Sequence, residues 1–385
     1  MSGAWGVWDG VWATDRLNET GVRNMRPGLK RKRVGWVITD QLVTMPLWPR
    51  IDTGMGGVSL ARLHWIAPRV NSDPSSSLCY EVFNPWRRYD GLVLLKAMGD
   101  KALTLARRYM NDGKPVIFDA NVNYYTTGGT EHYPGMLPTL EQKEEAIAIT
   151  RAASAVIADS NYIAGCCRDH NANVMWIPDN VEIDQIPPMS TNKAPGRIRL
   201  TWSGEAVKLF ELLKIEQSLR SFKNHIDLVL VTNDLVDMSH WQLSYRQRLK
   251  SLLSHLDAKV VPYRGTEHLF DIYIHSDAVI SPRFLDNSYN LGHTEWKITL
   301  GMACGCKALV SPVPSYRDVW DRSSGSEISL CDTQDDWQSA FETMLTVGVS
   351  RDARARSQHL VEKYYSSKVI AGQHVSYLER LFLDA

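Results

Sequence analysis

Short apolar runs alternate with helix-like segments along most of the chain. The first run, VGWVIT at 34–39, is continuously apolar, which is typical of a strand buried in a parallel sheet. A glycine-containing loop and a helix at 58–70 follow it, without the GxGxxG spacing of a nicotinamide site. Regular alternation of strand and helix predicts a parallel α/β sheet with helices on both faces. Further strands of this half are predicted at 78–82, 91–95, 115–119, 155–158 and 174–177.

A second alternation begins after IPPMSTNKAPG at 186–196. This stretch is polar, rich in proline and without periodicity, and we therefore interpret it as a linker. An amphipathic helix is predicted at 206–221. Ligands of such sheets collect outside the carboxyl ends of the strands, so the cleft between the two sheets is the predicted ligand site. The strands of this half are predicted at 197–202, 227–232, 259–262, 278–281, 308–311 and 328–330.

The pattern predicts five parts in the chain. At 385 residues the chain exceeds the size at which one core usually keeps growing, which agrees with two domains. The parts are an N-terminal extension at 1–32, a first Rossmann-like domain at 33–185, the linker at 186–196, a second Rossmann-like domain at 197–365, and a C-terminal helix at 366–385 that packs back on the first domain.

The chemically richest segment is 281–316, SPRFLDNSYNLGHTEWKITLGMACGCKALVSPVPSY. It reads as a strand end, a polar loop, a short helix and a second strand. Thr294 is predicted to cap the helix. Lys297 lies in the first helical turn, where a positive charge opposes the macrodipole. A helix N-terminus and an ammonium group that face the same anion would explain this placement, and a solvated surface lysine is the alternative.

Composition narrows the range of partners. The 43 basic and 43 acidic residues cancel, so no global field favours nucleic acid. The basic run KRKR at 30–33 fits a solvated strand edge or an anionic membrane surface. None of the six cysteines forms a CxxC pair, so reduced thiols and a cytoplasmic location are predicted. Trp5, Trp8 and Trp12 are expected to pack against the first domain, with weak attachment to the inner face of a membrane as the alternative.

Four segments, in this order, resemble the GT-B glycosyltransferases, and specifically the large retaining group known as glycosyltransferase family four. They are AVIADS at 155–160, WIPDNVEID at 176–184, the segment 281–305 with MACG as its MAxG core, and a tail with Trp337 and YYSS at 364–367. The resemblance implies an α/β GT-B fold, in which the parallel sheets of two Rossmann-like domains face each other across a cleft. It also implies that the first domain binds an acceptor and the second a sugar donor.

The activity implied by this resemblance is transfer of a sugar from a nucleoside-diphosphate sugar to a hydroxyl of a glycan, lipid-linked or small-molecule acceptor, with retention. No DxD motif is present, and the nearest carboxylate pair is EID at 182–184, so metal dependence is not predicted. No cofactor is expected beyond the donor itself. The chain departs from the family at two positions. Gly292 and Leu300 stand where the family usually has two glutamates, so the usual ribose-binding carboxylate is missing, and Glu295 could replace it.

Negative charge builds up on the leaving diphosphate during such a transfer, and positioned cations and a helix N-terminus can stabilise it. The predicted catalytic cations are Lys297 and Lys208. Arg283 is a further candidate because the family's arginine is missing from the loop at 204–208. The remaining residues predicted to bind the donor are Gly204, Tyr263, Gly292, His293, Thr294 and Glu295.

The acceptor is expected on the first domain. Asp119 ends a predicted strand and is the candidate base in an inverting enzyme, an orienting residue in a retaining one, or simply the cap of the next turn. Asn121 and His132 follow it, and Gly56 and Gly57 could let a sugar approach the backbone.

Two other functions remain open. One is a catalytically impaired GT-B-like binding or partner subunit, which the leucine at position 300 favours. The other is a nucleotide-sugar epimerase of the same fold.

Overall fold

The computed structural model describes residues 31–38, 60–188, 196–233, 235 and 243–383. Gly56, Gly57, the three N-terminal tryptophans and most of the predicted linker lie outside these residues. The first half of the described chain forms a six-stranded parallel sheet in the order β2-β1-β3-β4-β5-β6. Its strands are β1 (Lys32–Ile38), β2 (Leu78–Val82), β3 (Gly91–Leu95), β4 (Val116–Ala120), β5 (Ala155–Ala158) and β6 (Val174–Trp176).

The second half forms another six-stranded parallel sheet, in the order β12-β11-β10-β7-β8-β9. The strand order reverses between β1 and β3 in the first sheet and between β7 and β10 in the second, and ligands of open α/β sheets bind at such points. The two predicted parallel α/β sheets are therefore confirmed. The strands of the second sheet are β7 (Ile198–Ser203), β8 (Ile226–Thr232), β9 (Lys259–Pro262), β10 (Ala278–Ser281), β11 (Lys307–Val310) and β12 (Ile328–Leu330).

Helices cover the sheets and begin where the local sequence supplies a cap. Thr139 and Gln142 form a capping box at one helix start, Thr333 and Asp336 form another, and Pro314 occupies the first turn of a third. The described helices are α1 (Ile66–Ser72), α2 (Asp100–Asn111), α3 (Leu140–Ala152), α4 (Asn161–Arg168), α5 (Glu216–Ser221), α6 (Leu243–Leu256), α7 (Thr266–Tyr273), α8 (Ser288–Leu291), α9 (Trp296–Ala303), α10 (Pro314–Asp321), α11 (Gln334–Val347), α12 (Arg351–Tyr365) and α13 (Ser367–Leu383).

Two predicted helices take a different form. The described part of the helix at 58–70 begins as a π-helix, Leu60–His64, before α1. The helix at 206–221 begins as a ten-residue 3-10 helix, Ala206–Ile215, and only then becomes α5. Its sequence suits the tighter winding, because buried apolar side chains recur every third residue and a 3-10 helix stacks residues three apart. These buried residues are Ala206, Leu209, Leu212 and Ile215.

The predicted cap at Thr294 is wrong. Helix α9 begins at Trp296, and Glu295 before it makes no side-chain capping hydrogen bond. The Thr294 hydroxyl instead lies near the carboxylate of Asp179, in the segment after β6, and acts to lower the pKa of that carboxyl. A tertiary contact with the other half of the molecule has replaced the local one.

The polypeptide crosses between the halves twice at one place. The Val181 amide donates to the Tyr365 carbonyl at 2.8 Å, and the Ser367 amide donates to the Val181 carbonyl at 2.9 Å. Helix α13 then lies against the first sheet, where the Tyr377 hydroxyl donates to the Asn173 carbonyl at 3.0 Å. The two crossing segments thus run side by side at the base of the cleft.

Candidate active site

Three cationic side chains meet where the strand order of the second sheet reverses. Arg283 lies two residues beyond β10, Lys208 lies in the 3-10 helix after β7, and Lys297 lies in the first turn of α9. Lys208 and Arg283 are thus carried by the segments that directly follow the central strands β7 and β10, and Lys297 by the helix between β10 and β11. In the sequence, Lys208 lies 75 positions before Arg283 and 89 positions before Lys297. Only the sheet brings them together.

Lys297 has no conventional partner for its ammonium group. Its Nζ atom is buried and makes no hydrogen bond within the described part of the chain. It lies 4.4 Å from the centroid of the Trp202 ring, on the penultimate residue of β7. Burial, followed by the charges of Arg283 and Lys208, lowers the pKa of Lys297 well below its usual range.

Arg283 is similarly under-compensated. Its side chain is 1% exposed, and Glu211 lies 3.6 Å from its Nη1 atom. The Tyr316 hydroxyl also lies beside it and favours its charged form. Among the described residues, none of its three side-chain nitrogens makes a hydrogen bond of normal geometry. A buried guanidinium in this state favours an anionic ligand.

Lys208 is better compensated. Its Nζ atom lies 3.0 Å from Glu205 Oε2 and 5.7 Å from the centre of the Tyr289 ring. Burial lowers its pKa, but Tyr289 and Glu205 outweigh that effect and raise it overall. The three basic side chains thus face two carboxylates, those of Glu205 and Glu211. With Lys297 protonated, the group carries one positive charge in excess. Taken together, the group has the electrostatics of an anion site.

Two glycines make room in this site. Gly204 has φ +151°, and a Cβ there would lie 3.3 Å from Lys297 Nζ and 3.1 Å from the Trp202 ring. At Gly292 a Cβ would lie 2.2 Å from the Cβ of Asn123, which belongs to the first half. Leu300 is 2% exposed and packs in the hydrophobic core beneath β10 and β11. The two positions at which the family usually carries glutamates therefore hold a close interdomain contact and a core residue.

The loop after β4 is bound to the edge of this site. Gly129 and Asn287 form an isolated antiparallel bridge, the Thr130 amide donates to the Asp286 carbonyl at 2.9 Å, and the Ser288 amide donates to the Gly128 carbonyl at 2.9 Å. The cleft between the halves is therefore closed on this side by backbone hydrogen bonds.

His132 is part of the same connection. It is 4% exposed, and its ring stacks on Phe284 with centroids 4.6 Å apart and on Phe210 at 5.1 Å. Its Nε2 atom lies 3.0 Å from Asp286 Oδ1 and its Nδ1 atom 3.2 Å from the Tyr245 hydroxyl. Both ring nitrogens are thus engaged by the second half, and His132 holds the loop against that half.

Asp119 also has its partners inside the protein. Its two oxygens accept from Arg62, at 3.0 Å from Nη2 and 3.1 Å from Nε, and both side chains are completely buried. Arg62 further donates to the Ile177 carbonyl at 2.7 Å. The predicted role of Asp119 as a base is at odds with this pairing, because both oxygens are buried and each accepts a hydrogen bond from Arg62.

Three more carboxylates surround this ion pair. Asp159 follows β5, Asp179 follows β6, and Glu295 precedes α9 on the other half. Burial, then the neighbouring Asp179, raises the pKa of both Asp159 and Glu295 well above the usual range. Burial raises the pKa of Asp179 to about 6 in spite of Arg62. Asn121, two residues after Asp119, is 6% exposed, and its amide makes no hydrogen bond among the described residues.

The remaining predicted residues lie at different distances from the cations. His293 follows Gly292, and burial, together with Arg283, Lys208 and Lys297, lowers its pKa well below its usual range. Tyr263 lies beyond β9, at the edge of the second sheet, and is 44% exposed. Gly56 and Gly57, predicted to bind the acceptor, lie outside the described residues.

Sequence reasoning missed four residues of this region: Trp202, Glu211, Arg62 and Asp159. Glu211 had a visible signal, because it is a lone acid in the apolar stretch AVKLFELLKI. Asp159 directly follows an apolar strand, the position at which sheet ligands collect. Trp202 had no such signal, since a tryptophan within a buried strand reads as core.

Comparisons with known proteins show the fold. No protein-family model matches the sequence, and no curated protein matches it. In structure, the chain is similar to Anabaena HepE in complex with UDP and glucose, with a TM-score of 0.63 and 12% identity over 91% of this chain and 100% of that one. It is also similar to sucrose-phosphate synthase from Thermosynechococcus elongatus, with a TM-score of 0.60 and 13% identity over 92% and 100% of the two chains.

A third similar structure is the catalytic domain of starch synthase IV from Arabidopsis thaliana bound to ADP and acarbose, with a TM-score of 0.52 and 12% identity over 77% of this chain and 73% of that one. At these identities the likeness concerns the fold alone. The GT-B architecture predicted from the sequence is confirmed. Separately, none of the helices in the described residues has the length and apolar character needed to cross a bilayer.

Proposed function

We propose that the protein is a glycosyltransferase that moves a sugar from a nucleoside-diphosphate sugar to a hydroxyl of a glycan, lipid-linked or small-molecule acceptor. The observation that carries this proposal is the cation group at the carboxyl ends of β7 and β10. Four of its nitrogens, on Arg283 and Lys297, are buried without a hydrogen-bond partner in the described residues. The similar HepE and starch synthase IV structures contain UDP and ADP, which are anions of the required kind.

The proposed chemistry is electrostatic. As the bond between the sugar and the diphosphate breaks, negative charge accumulates on the leaving phosphate, and donors already in place stabilise it without reorganisation. Lys297, Lys208 and Arg283 are the proposed donors, with Gly204 leaving the space they share. We propose the second half, 197–365, as the donor domain and the first, 33–185, as the acceptor domain, with Asn121 available to an acceptor.

Retention and independence of metal ions belong to the same proposal. Retention is supported by the family resemblance and by the pairing of Asp119 with Arg62, which leaves no base at that position. Metal independence is supported by the cations, which supply the charge that a metal would otherwise supply. A cytoplasmic location is supported by the six cysteines, all of which are free.

The first experiment tests the donor site. Binding of UDP-glucose, ADP-glucose and GDP-mannose would be measured by calorimetry, and transfer by release of the nucleoside diphosphate. Removing one desolvated charge from a charge-assisted contact costs about 1.5–3 kcal/mol, so we expect Lys297→Ala and Lys208→Ala each to weaken binding of the effective donor by about tenfold or more. Lys250→Ala, an exposed lysine on α6, is the control and should leave binding unchanged. Unchanged binding and transfer in both site variants would show that the diphosphate assignment is wrong.

A second candidate function is a catalytically impaired binding or partner subunit. Gly292 and Leu300 favour it, because neither position can present a carboxylate to a ribose. A subunit of this kind would bind one of the three nucleotide sugars but would release no nucleoside diphosphate, whichever acceptor is added. Release of nucleoside diphosphate, with or without an acceptor, would exclude this second candidate.

A further inference from the structure

Trp202 is the surface on which Lys297 rests. It is 1% exposed, so the indole is fixed in the core of the second half, and only one of its faces meets the ammonium group at 4.4 Å. An aromatic face attracts a cation, and the attraction is largest where water is excluded. Gly204 lies immediately after β7 and, lacking a Cβ, allows this approach.

The surroundings of Lys297 on balance disfavour its ammonium form. Burial is the largest effect and lowers the pKa of Lys297, and the charges of Arg283 and Lys208 lower it further. Glu211 and Glu205 raise the pKa, but less strongly. Burial, and then the same cations, lower the pKa of nearby His293 well below its usual range. Without an anion, the amine thus lies among two cations and carries no hydrogen bond in the described residues. What holds it in place is the ring of Trp202.

We propose that Trp202 positions Lys297 for the donor diphosphate, and that Lys297 gains a proton when the diphosphate binds. The proton comes from solvent and bonds to the lone pair of Nζ, so that the two N–H bonds of the neutral amine become the three of an ammonium group. The two phosphates of a nucleotide sugar are diesters that are fully ionised at neutral pH, so a proton taken up on binding is held by the protein. This inference rests on the proposed function, because it requires a diphosphate ligand in the cation group.

Proton uptake is measured by titrating the intact protein with the donor that binds among UDP-glucose, ADP-glucose and GDP-mannose, at pH 7.5, in buffers that differ in ionisation enthalpy. The dependence of the heat on that enthalpy gives the number of protons exchanged. We expect measurable proton uptake for the wild-type protein and none for Lys297→Met. Uptake that persists in Lys297→Met, or no uptake in the wild-type protein, would overturn the inference. Donor binding without uptake leaves the proposed function standing, whereas no binding of any of the three removes both.

The role of Trp202 is tested by a double-mutant cycle. A desolvated cation–π contact is worth about 2 kcal/mol, so Trp202→Leu should weaken donor binding by about tenfold to thirtyfold, and Trp202→Phe, which keeps an aromatic face, by less. In the Lys297→Met background, Trp202→Leu should have little further effect on binding. The matched control is Trp337→Leu, a buried tryptophan of the same core. It should lower the melting temperature without changing donor affinity or proton uptake.

A purely structural role for Trp202 has a different signature. Trp202→Leu would then lower the melting temperature as Trp337→Leu does, and the proton uptake and affinity of the remaining folded protein would stay at wild-type values. That result would overturn the positioning role. An equal loss of affinity from Trp202→Leu in the wild-type and Lys297→Met backgrounds would overturn it as well, because the two residues would then act independently.

Discussion

Asp159, Asp179 and Glu295 are buried carboxylates with little compensating positive charge. Asp159 and Asp179 lie beside the guanidinium of Arg62, which Asp119 already occupies, and the positive charge that acts on Glu295 is that of Arg322. Two of the three lie on the first half and one on the second. Burial disfavours the ionised form and outweighs the attraction of these guanidinium groups, so each carboxylate binds a proton more tightly in the folded protein than in the unfolded chain. The contribution of these groups to the free energy of unfolding therefore falls as pH rises, whereas that of a carboxylate paired with a cation falls as pH is lowered.

For Asp179 the sign can be followed through. Its pKa is raised from 3.8 to about 6, so its contribution to the free energy of unfolding is fully present below about pH 3.8 and is lost as pH rises through about 6. Asparagine at this position does not titrate. The free energy of unfolding of Asp179→Asn, minus that of the wild-type protein, should therefore rise between pH 4 and pH 7, by on the order of 1–3 kcal/mol. Denaturant titrations at each pH measure it.

The control for this prediction has the opposite sign. The backbone amides of Thr333 and Asp332 donate to Asp336 and lower its pKa. Its contribution is present above its unfolded pKa and is lost as pH falls, so Asp336→Asn should lose its disadvantage toward low pH. A difference for Asp179→Asn that stays flat with pH would mean that folding does not raise the pKa of Asp179.

At the scale of elements, helix α9 packs unusually close to β10. A Cβ on Gly301 would lie 2.7 Å from the Cβ of Val279 and 2.8 Å from its Cγ1. Gly372, by contrast, lies in α13 with no atom within 4 Å of such a Cβ. The two helical glycines therefore separate the effect of helix propensity from that of packing.

We expect alanine to act in opposite directions at these two positions. Gly372→Ala should stabilise the protein by up to about 1 kcal/mol, because alanine is the better helix former. Gly301→Ala gains the same propensity but overpacks the contact with β10, which costs about 1–3 kcal/mol, so it should be neutral or destabilising. Thermal and denaturant unfolding measure both changes. Val279→Gly removes both colliding atoms, so Gly301→Ala should cost less in that background than in the wild-type protein. An equal cost in the two backgrounds would mean that packing against Val279 is not the cause.

For the molecule as a whole, Gly292 is where the two halves come closest. A Cβ there would lie 2.2 Å from the Cβ of Asn123, an atom that no side-chain rotation can move away. Gly292→Ala should therefore hold the halves apart. Because transfer needs donor and acceptor together, we expect transfer to fall by about tenfold while donor affinity stays within a few-fold of wild type.

Two further variants make this prediction specific. Gly128→Ala changes a glycine of the loop that carries Asn123, at a position where a Cβ meets nothing within 4 Å, and it should leave transfer unchanged. Asn123→Gly combined with Gly292→Ala removes the colliding Cβ and should restore transfer. Steady-state kinetics with the effective donor separates the rate of transfer from the affinity for the donor. A loss of donor affinity equal to the loss of transfer would contradict the role of Gly292 in closure.

Much of the architecture was readable along the chain, because buried parallel strands are short apolar runs and nearly every one of them was predicted within a residue or two. The repeated alternation of strand and helix then required two parallel sheets, and Lys297, Lys208 and Arg283 stood out as charges placed after strands. The 3-10 helix at Ala206–Ile215 was missed because apolar residues also recur every three or four positions in an α-helix.

The partners of the charged residues were decided only by the tertiary structure. Asp119 ends a strand in the way that a ligand-binding residue does, yet Arg62, 57 positions away, occupies both of its oxygens. Trp202 reads as an ordinary core residue until α9 places Lys297 on its face. A sequence specifies which groups are polar and where each strand ends, but the energy of a buried charge depends on what lies within a few ångströms of it, and those neighbours come from distant parts of the chain.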